Sequence, residues 1–358
     1  MSEDPAILIC SHGSRDRRAV EEFRLVEKAL KARLPGRRVA SGFLEFAEPT
    51  IARSLESLAA AGATEVWALP GMLFAAMHMK TDIPEELDRF TAAHPEVRVR
   101  FGAELGLDWR MLEAARDRIA TALAHADKVL GKVALKDTLL LVVGRGTSDP
   151  DANGNIAKVA RMLGEVMGFG WTETGFSGLA SPTADVVLFR ELRSHPFARV
   201  AVFPYFLFTG ILVDRIYGWA DAVAERFPEV QMVKVPYLKD HPQVIDTFVE
   251  RLCELARDPE GTHDRLVAYR AWMAEGQPTE GEPWMKRQFD SHHDHDRDDA
   301  GEGCCCGHDH DDAHPHDEDG SCCCGGEGHG HDGECGCGHD HADEGDDCCC
   351  GHHHPHGS

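Results

Sequence analysis

Disulfide chemistry is the first thing this chain lacks: of its 13 cysteines only Cys10 and Cys253 fall within residues 1–290. Two distant thiols make no disulfide framework, and the adjacent CCC triplets further on cannot easily pair within themselves, so reduced thiols in a cytosol fit the pattern. Long apolar runs are also missing. No stretch approaches the roughly 20 residues of a membrane helix, and the amino terminus has neither a basic segment nor a long apolar one, since ILIC is strand-sized. A soluble, cytoplasmic protein with no membrane partner is expected. Positive charge is scarce as well, with 37 Lys plus Arg against 61 Asp plus Glu. Residues 291–358 carry 19 of the acids and one Arg, so most of the net −24 sits there and only −6 belongs to residues 1–290. Neither part offers the broad basic surface of a nucleic-acid binder, and that partner is set aside. No Walker A run for ATP occurs, and GRGTSD after Val143 has Asp149 where a dinucleotide fingerprint needs its third Gly.

What is present is one pattern written twice. ILICSHGSRD, GFLEFAEPT, VWALPGMLFAAMH and HPEVRV are answered 133 or 134 residues later by LLVVGRGTSD, GFSGLASPT, VAVFPYFLFTGIL and FPEVQMV. Gly42 and Gly175, Phe43 and Phe176, Pro49 and Pro182, and Pro70 and Pro204 coincide. The polar residues do not: His12 faces Arg145, Glu45 faces Gly178 and His78 faces Leu212. A shared scaffold with an asymmetric polar set points to one active site, not two.

In the first copy, apolar runs at 6–10, 39–46, 65–69 and 97–103 alternate with segments of helical period. Val20, Phe23, Val26, Leu30 and Leu34 recur at three- or four-residue steps, one stripe of a helix packed on a sheet. Residues 50–61, 83–93 and 109–123 read the same way, with Pro84 suited to a first helical turn. Strands near 139–143, 174–177, 200–203 and 232–235 repeat the order. This alternation predicts an α/β fold with parallel strands joined by right-handed crossovers: two tandem duplicated doubly wound domains at 1–130 and 137–260. A helical extension is expected at 261–290, containing Tyr269, Trp272 and Trp284. Beyond residue 291 no hydrophobic side chain larger than alanine remains apart from cysteine, so without metal that segment is expected to be disordered.

His12 follows the first strand, Glu45 closes the second, and His78 lies in the loop about nine residues past Leu69. All three fall at the carboxyl ends of strands, where open α/β sheets bind ligands. Two imidazoles and a carboxylate suit a borderline divalent ion such as Co, Ni, Fe or Zn, and three protein ligands leave positions open for reaction or transfer. A lone loop histidine is more often a surface residue, and His94, His125, His195, His241 and His263 are read so. Joint replacement in the second copy sets the triad apart. Arg15, Lys80, Arg145 and Arg215 supply basic groups at strand ends for a polycarboxylate ligand, Arg145 from the position equivalent to His12. Arg17 and Arg18 fit a solvated helix start equally well. Phe206 and Phe208 in FPYFLFTGIL read equally as a flat apolar wall or as core.

From residue 291 the sequence packs 15 His and 11 Cys into 68 residues. Thiolates and imidazoles bind transition metals, and the glycines between them allow wrapping. The candidate ligands are Cys304, Cys305, Cys306, His308 and His310 in CCCGHDH, Cys322, Cys323 and Cys324, and His329 and His331 in GHGHD. Cys335, Cys337, His339 and His341 follow in CGCGHDH, then Cys348, Cys349, Cys350 and His352. Metal buffering or delivery is expected. The competing readings are an acidic solubilising tail and, for 352–356, an engineered tag.

SHGSRD, FLEFAEPTI, LPGMLFAAMHMKTDIP and FPYFLFTGILVDRI resemble the CbiX family of sirohydrochlorin chelatases, most closely its long, two-domain cobaltochelatases. The resemblance covers about residues 5–255. It implies two chelatase-type α/β domains and ATP-independent insertion of Co²⁺, or of Fe²⁺ or Ni²⁺, into sirohydrochlorin, a tetrapyrrole with eight carboxylates, with no organic cofactor. It also implies that His12, Glu45 and His78 bind the entering metal and are catalytic. The MxCxxC iron–sulfur motif of some long relatives is not found, and no cluster is predicted. A rival from another class is a metal-storage or metallochaperone protein whose domains only scaffold the tail.

Overall fold

The run Ala6–Ser11 forms β1, buried along almost its whole length as the inner strand of a parallel sheet must be. After it come α1 (Arg17–Arg33), β2 (Val39–Phe43), α2 (Ile51–Ala60) and β3 (Glu65–Pro70). A π-turn at His78–Asp82 then runs into α3 (Ile83–Ala93), followed by β4 (Arg98–Phe101) and α4 (Trp109–Leu130). The second copy gives β5 (Thr138–Gly144), α5 (Pro150–Met167), β6 (Trp171–Phe176) and α6 (Ala184–Ser194). It ends with β7 (Arg199–Pro204), α7 (Ile211–Arg226), β8 (Gln231–Lys234) and α8 (Pro242–Arg257). This computed structural model describes residues 4–76 and 78–257, with His78 described by its backbone alone. The extension expected at 261–290 and every tail ligand named above lie outside the described residues.

Both sheets are wholly parallel, in the orders β2-β1-β3-β4 and β6-β5-β7-β8. The expected pair of doubly wound sheets is therefore what the chain forms, and the differences are at element ends. β2 stops at Phe43, not 46, because Phe46 takes a left-handed φ of 61° that no strand continues through. β6 starts at Trp171, in register with Leu139, and α4 runs on to Leu130. Four helices start where a short polar side chain caps them: Asp16, Thr50, Asp108 and Asp149 each accept a first-turn backbone N–H.

Strand periodicity divides the core. Ile7 and Ile9 enter a central cluster with Leu140 and Val142 of the second sheet, whereas Leu8 and Cys10 face an outer layer with Leu55, Ile83 and Phe90. A third cluster, with Leu141, Leu188 and Ile216, covers the outer face of the second sheet.

Sequence order and packing part company at the last helix of each copy. α4 lies on α5, β7 and β8 of the second half, while α8 lies on α1 and β3 of the first. Buried Arg199 on β7 pairs with Asp127 on α4 at 2.7 Å, and Arg251 on α8 reaches Asp108 at 3.0 Å. A Cβ on Gly102, just past β4, would sit 3.0 Å from Leu255 Cδ1 on α8. Phe248, Leu252 and Leu255 are buried in this exchange, each contributing roughly 1.5–3 kcal/mol. The boundary expected near residue 130 thus divides the repeat but not the packing, and both copies fall within one compact unit.

Candidate active site

The carboxyl ends of both sheets open onto one cleft of about 500 Å³. Its wall is built from the segments that follow β1, β3, β5 and β7, the inner strands on either side of each sheet's switch in winding direction, with Phe46 added from the loop after β2.

Immediately after β1, His12 is half-buried on this wall. Gly13 follows at φ +90°, and a Cβ there would stand 1.8 Å from the Glu45 carbonyl oxygen, so only glycine lets the two loops meet. Across that contact Glu45 N donates to His12 O at 2.9 Å. Backbone geometry therefore sets His12 and Glu45 side by side. Glu45 lies two residues past the end of β2, exposed on the rim and outside the cleft wall, and no described base pairs with its carboxylate. His78 opens the π-turn between the wall residues Ala76 and Met79, and its side chain lies outside the described residues. Among the described residues no three His, Cys, Asp or Glu groups gather closely enough to hold a metal.

In the second half, Arg145 and Leu212 occupy the wall at the positions equivalent to His12 and His78. The Arg145 side chain is exposed to the cleft, no described acid pairs with it, and desolvation by the surrounding protein lowers its pKa from the usual arginine value. Its loop is held from below. Thr147 N donates to Asn153 Oδ1 at 3.1 Å, Asn153 Nδ2 returns a bond to Thr147 O at 2.7 Å, and Ser177 Oγ donates to Arg145 O at 2.9 Å. Gly146 repeats the Gly13 device, its Cβ position 2.3 Å from Gly178 O.

The other predicted residues divide. Arg15 reaches the cleft, its guanidinium 4.9 Å from the Phe46 ring centre. Phe206 and Phe208 line the wall and also pack: Phe206 on the outer core, Phe208 edge-on to Phe23 at 5.5 Å. Wall and core are one surface here. Lys80 is a correction. It is 4% exposed, off the cleft wall, with Nζ 2.5 Å from Asp149 Oδ2. A buried ammonium requires a fixed counter-charge, and Asp149 supplies the one that a ligand carboxylate was expected to provide. Arg215 also lies outside the wall, its Nη1 donating to Ser177 O at 3.4 Å. Arg18 bridges Asp16 and Asp214 at 2.7 and 2.5 Å.

Phe46 was missed by a reading confined to polar mismatches. It is 52% exposed and stacks on His12 with ring centres 6.0 Å apart. The repeat pairs it with Leu179, an aromatic against an aliphatic residue, and in the structure both take a positive φ. Asn153 carries no comparable mark in the sequence.

A model of the family CbiX matches residues 6–122 and again residues 139–255. The chain belongs to the CbiX family. It is 31% identical over 259 residues to the sirohydrochlorin ferrochelatase of Bacillus subtilis (strain 168), covering 72% of this chain and 95% of that one. It is 30% identical over 213 residues to the sirohydrochlorin cobaltochelatase of Priestia megaterium, covering 60% and 68%. SirB from Bacillus subtilis with Fe³⁺ superposes with a TM-score of 0.63 at 29% identity, over 72% of this chain and 98% of that one. The sirohydrochlorin chelatase SirB from Bacillus subtilis subspecies spizizenii, in complex with cobalt, gives 0.59 at 29% identity over the same shares. The relatives of this CbiX chain are sirohydrochlorin chelatases under both metal names. No helix among its described residues is long and apolar enough to cross a membrane.

Proposed function

We propose that this chain inserts Co²⁺ into sirohydrochlorin, without ATP, as a step toward cobalamin, and that its His/Cys-rich tail buffers or delivers the ion. The observation that carries this is the two-sided cleft: His12, joined to Glu45 through the backbone, on one wall, and Arg145 with Phe206 and Phe208 on the other.

Metal insertion removes two pyrrole protons and exchanges the ligands of the ion for four nitrogens. His12 and His78 would carry the ion and accept protons, which requires both imidazoles to be neutral beforehand. Glu45 would offset the charge of the ion. Arg145 and Arg15 suit substrate carboxylates, and the aromatic wall suits the face of the macrocycle. Lys80, buried against Asp149, is left out of this substrate set.

Cobalt rests on the likeness to the long, two-domain cobaltochelatases and on the Priestia megaterium relative. Iron is the second reading, favoured by the ferrochelatase name of the Bacillus subtilis relative, with nickel behind it, since two histidines and a glutamate do not choose among these ions. The deciding experiment follows the sirohydrochlorin absorbance with purified full-length protein and Co²⁺, Fe²⁺ under anaerobic conditions, or Ni²⁺. Fastest insertion of cobalt is expected; faster insertion of iron overturns the cobalt assignment, and no insertion of any of the three overturns the chelatase.

A further inference from the structure

Two buried carboxylates lie beside the cleft with no part in the chemistry above, and each reaches across from one half to the loop of the other. Asp149, 5% exposed, caps α5 of the second half through Oδ1, accepting from Asp151 N at 3.1 Å. Its Oδ2 takes Lys80 Nζ at 2.5 Å, and Lys80 lies in the middle of the first-half π-turn that begins with His78. Glu22, 9% exposed, is on α1 of the first half. Its Oε2 accepts Thr209 N at 2.8 Å and its Oε1 accepts the Tyr237 hydroxyl at 2.7 Å, with Lys239 Nζ 3.3 Å away. Thr209 directly follows Phe208 in the second-half wall. Burial, followed by the Glu22 hydrogen bond, pushes the Tyr237 hydroxyl up to about 12, so it remains a donor at neutral pH.

Burying a carboxylate is costly unless it is paired, and each of these is paired by the opposite half. We infer that Asp149 and Glu22 are crossed positioning residues: Asp149, from the half without the triad, sets the π-turn that carries His78, and Glu22, from the half with it, sets the Phe206–Phe208 wall. The inference rests on the chelatase reading. It gives the second half a role in metal entry although that half has Arg145, Gly178 and Leu212 at the triad positions. Neither carboxylate lies on the cleft wall. Each holds a loop whose displacement by about 1 Å is enough to cost on the order of a hundred-fold in rate.

The test uses full-length D149N and E22Q, with free Co²⁺ fixed by a chelator buffer so that the tail does not set it. D149N is expected to raise the KM for Co²⁺ and lower kcat, each by about ten-fold, while leaving the KM for sirohydrochlorin within about two-fold. E22Q is expected to do the reverse, weakening sirohydrochlorin binding about ten-fold, read also without turnover from quenching of sirohydrochlorin fluorescence, with the KM for Co²⁺ unchanged. K80M/D149L fills the buried volume with apolar side chains and guards against loss of fold, and Y237F removes one donor to Glu22 for the same purpose. Variants are compared at melting temperatures close to wild type. If the folded variants shift both constants alike, the contacts only stiffen the molecule; if the folded D149 variants leave the KM for Co²⁺ unmoved, or Y237F and E22Q leave sirohydrochlorin binding unmoved, the crossed assignment is wrong. A wild type that inserts none of the three ions condemns the chelatase reading, and the fluorescence titration then still reads the Glu22 contact on its own.

Discussion

At the end of its first strand each half turns through a left-handed glycine, Gly13 in one and Gly146 in the other, and brings the next loop into backbone contact. What stands before that glycine differs: an imidazole, His12, in the first half and a guanidinium, Arg145, in the second. Neutral imidazole offers a lone pair to a metal and can take a proton. Guanidinium does neither at physiological pH, but forms bidentate bonds to carboxylates. The loop partner differs in the same sense, since exposed Glu45 in the first half becomes Gly178 in the second. Duplication kept the backbone and left an imidazole on one wall of the cleft and a guanidinium on the other.

The largest expected effect comes from separating the halves. Because α4 packs on the second sheet and α8 on the first, residues 1–134 expressed alone lack the helix that covers their sheet and should show no cooperative melting by circular dichroism; co-expression with the rest should restore it. A stable isolated half would mean that the exchange is dispensable. Next is the comparison of His12 with Arg145. H12A should lower kcat/KM by about a hundred-fold or more, as the loss of a proton acceptor does. R145A should raise the KM for sirohydrochlorin by about ten-fold, the scale of one lost charge-assisted hydrogen bond, with kcat little changed. Equal effects on the same constant would erase the division of labour.

The glycines sharpen the contrast. G13A forces a Cβ against Glu45 O and G146A one against Gly178 O, so both strain the same turn, yet G13A should act on the metal constants and G146A on sirohydrochlorin binding. Deleting residues after 291 should leave insertion unchanged at ample Co²⁺ and slow it only when the metal is scarce; loss of activity at ample metal would move the function into the tail. The smallest effect concerns His241, where α4 and α8 meet near Asp117. Burial, reinforced by Arg118, holds its pKa below the ordinary histidine value. The unfolded chain therefore binds the proton more readily, and stability falls as the pH drops through the ordinary histidine range and toward the lower folded value. H241Q should remove less than about 1 kcal/mol of that acid sensitivity, seen in melting curves, and leave turnover alone.

Strands, helices and sheet type were legible in the sequence because short continuous apolar runs alternate with segments of period 3.6. That the His12 and Glu45 loops meet was legible from their places at the carboxyl ends of neighbouring strands, and the repeat exposed the mismatch of each with the second half. The exchange of α4 and α8 was not. The stripe Met111, Ala115, Ile119 and Leu123 says that one face of α4 is buried, and says nothing of which sheet buries it. Lys80 was misread for a related reason: a lysine two places after a loop histidine looks solvated, and its partner Asp149 is 69 residues away. Pattern records how much a side chain is buried more readily than by what.

The helix exchange also decides where the last described helix ends. In sequence the last hundred residues follow the second half, yet α8 ends with Leu255 near Leu69 and Gly102, beyond β3 and β4 of the first sheet. Arg257, the last described residue, thus ends a helix packed on the half that bears His12 and Glu45. Whatever follows Arg257 in sequence is therefore joined to the molecule at the first sheet, although the second sheet is the one that precedes it along the chain.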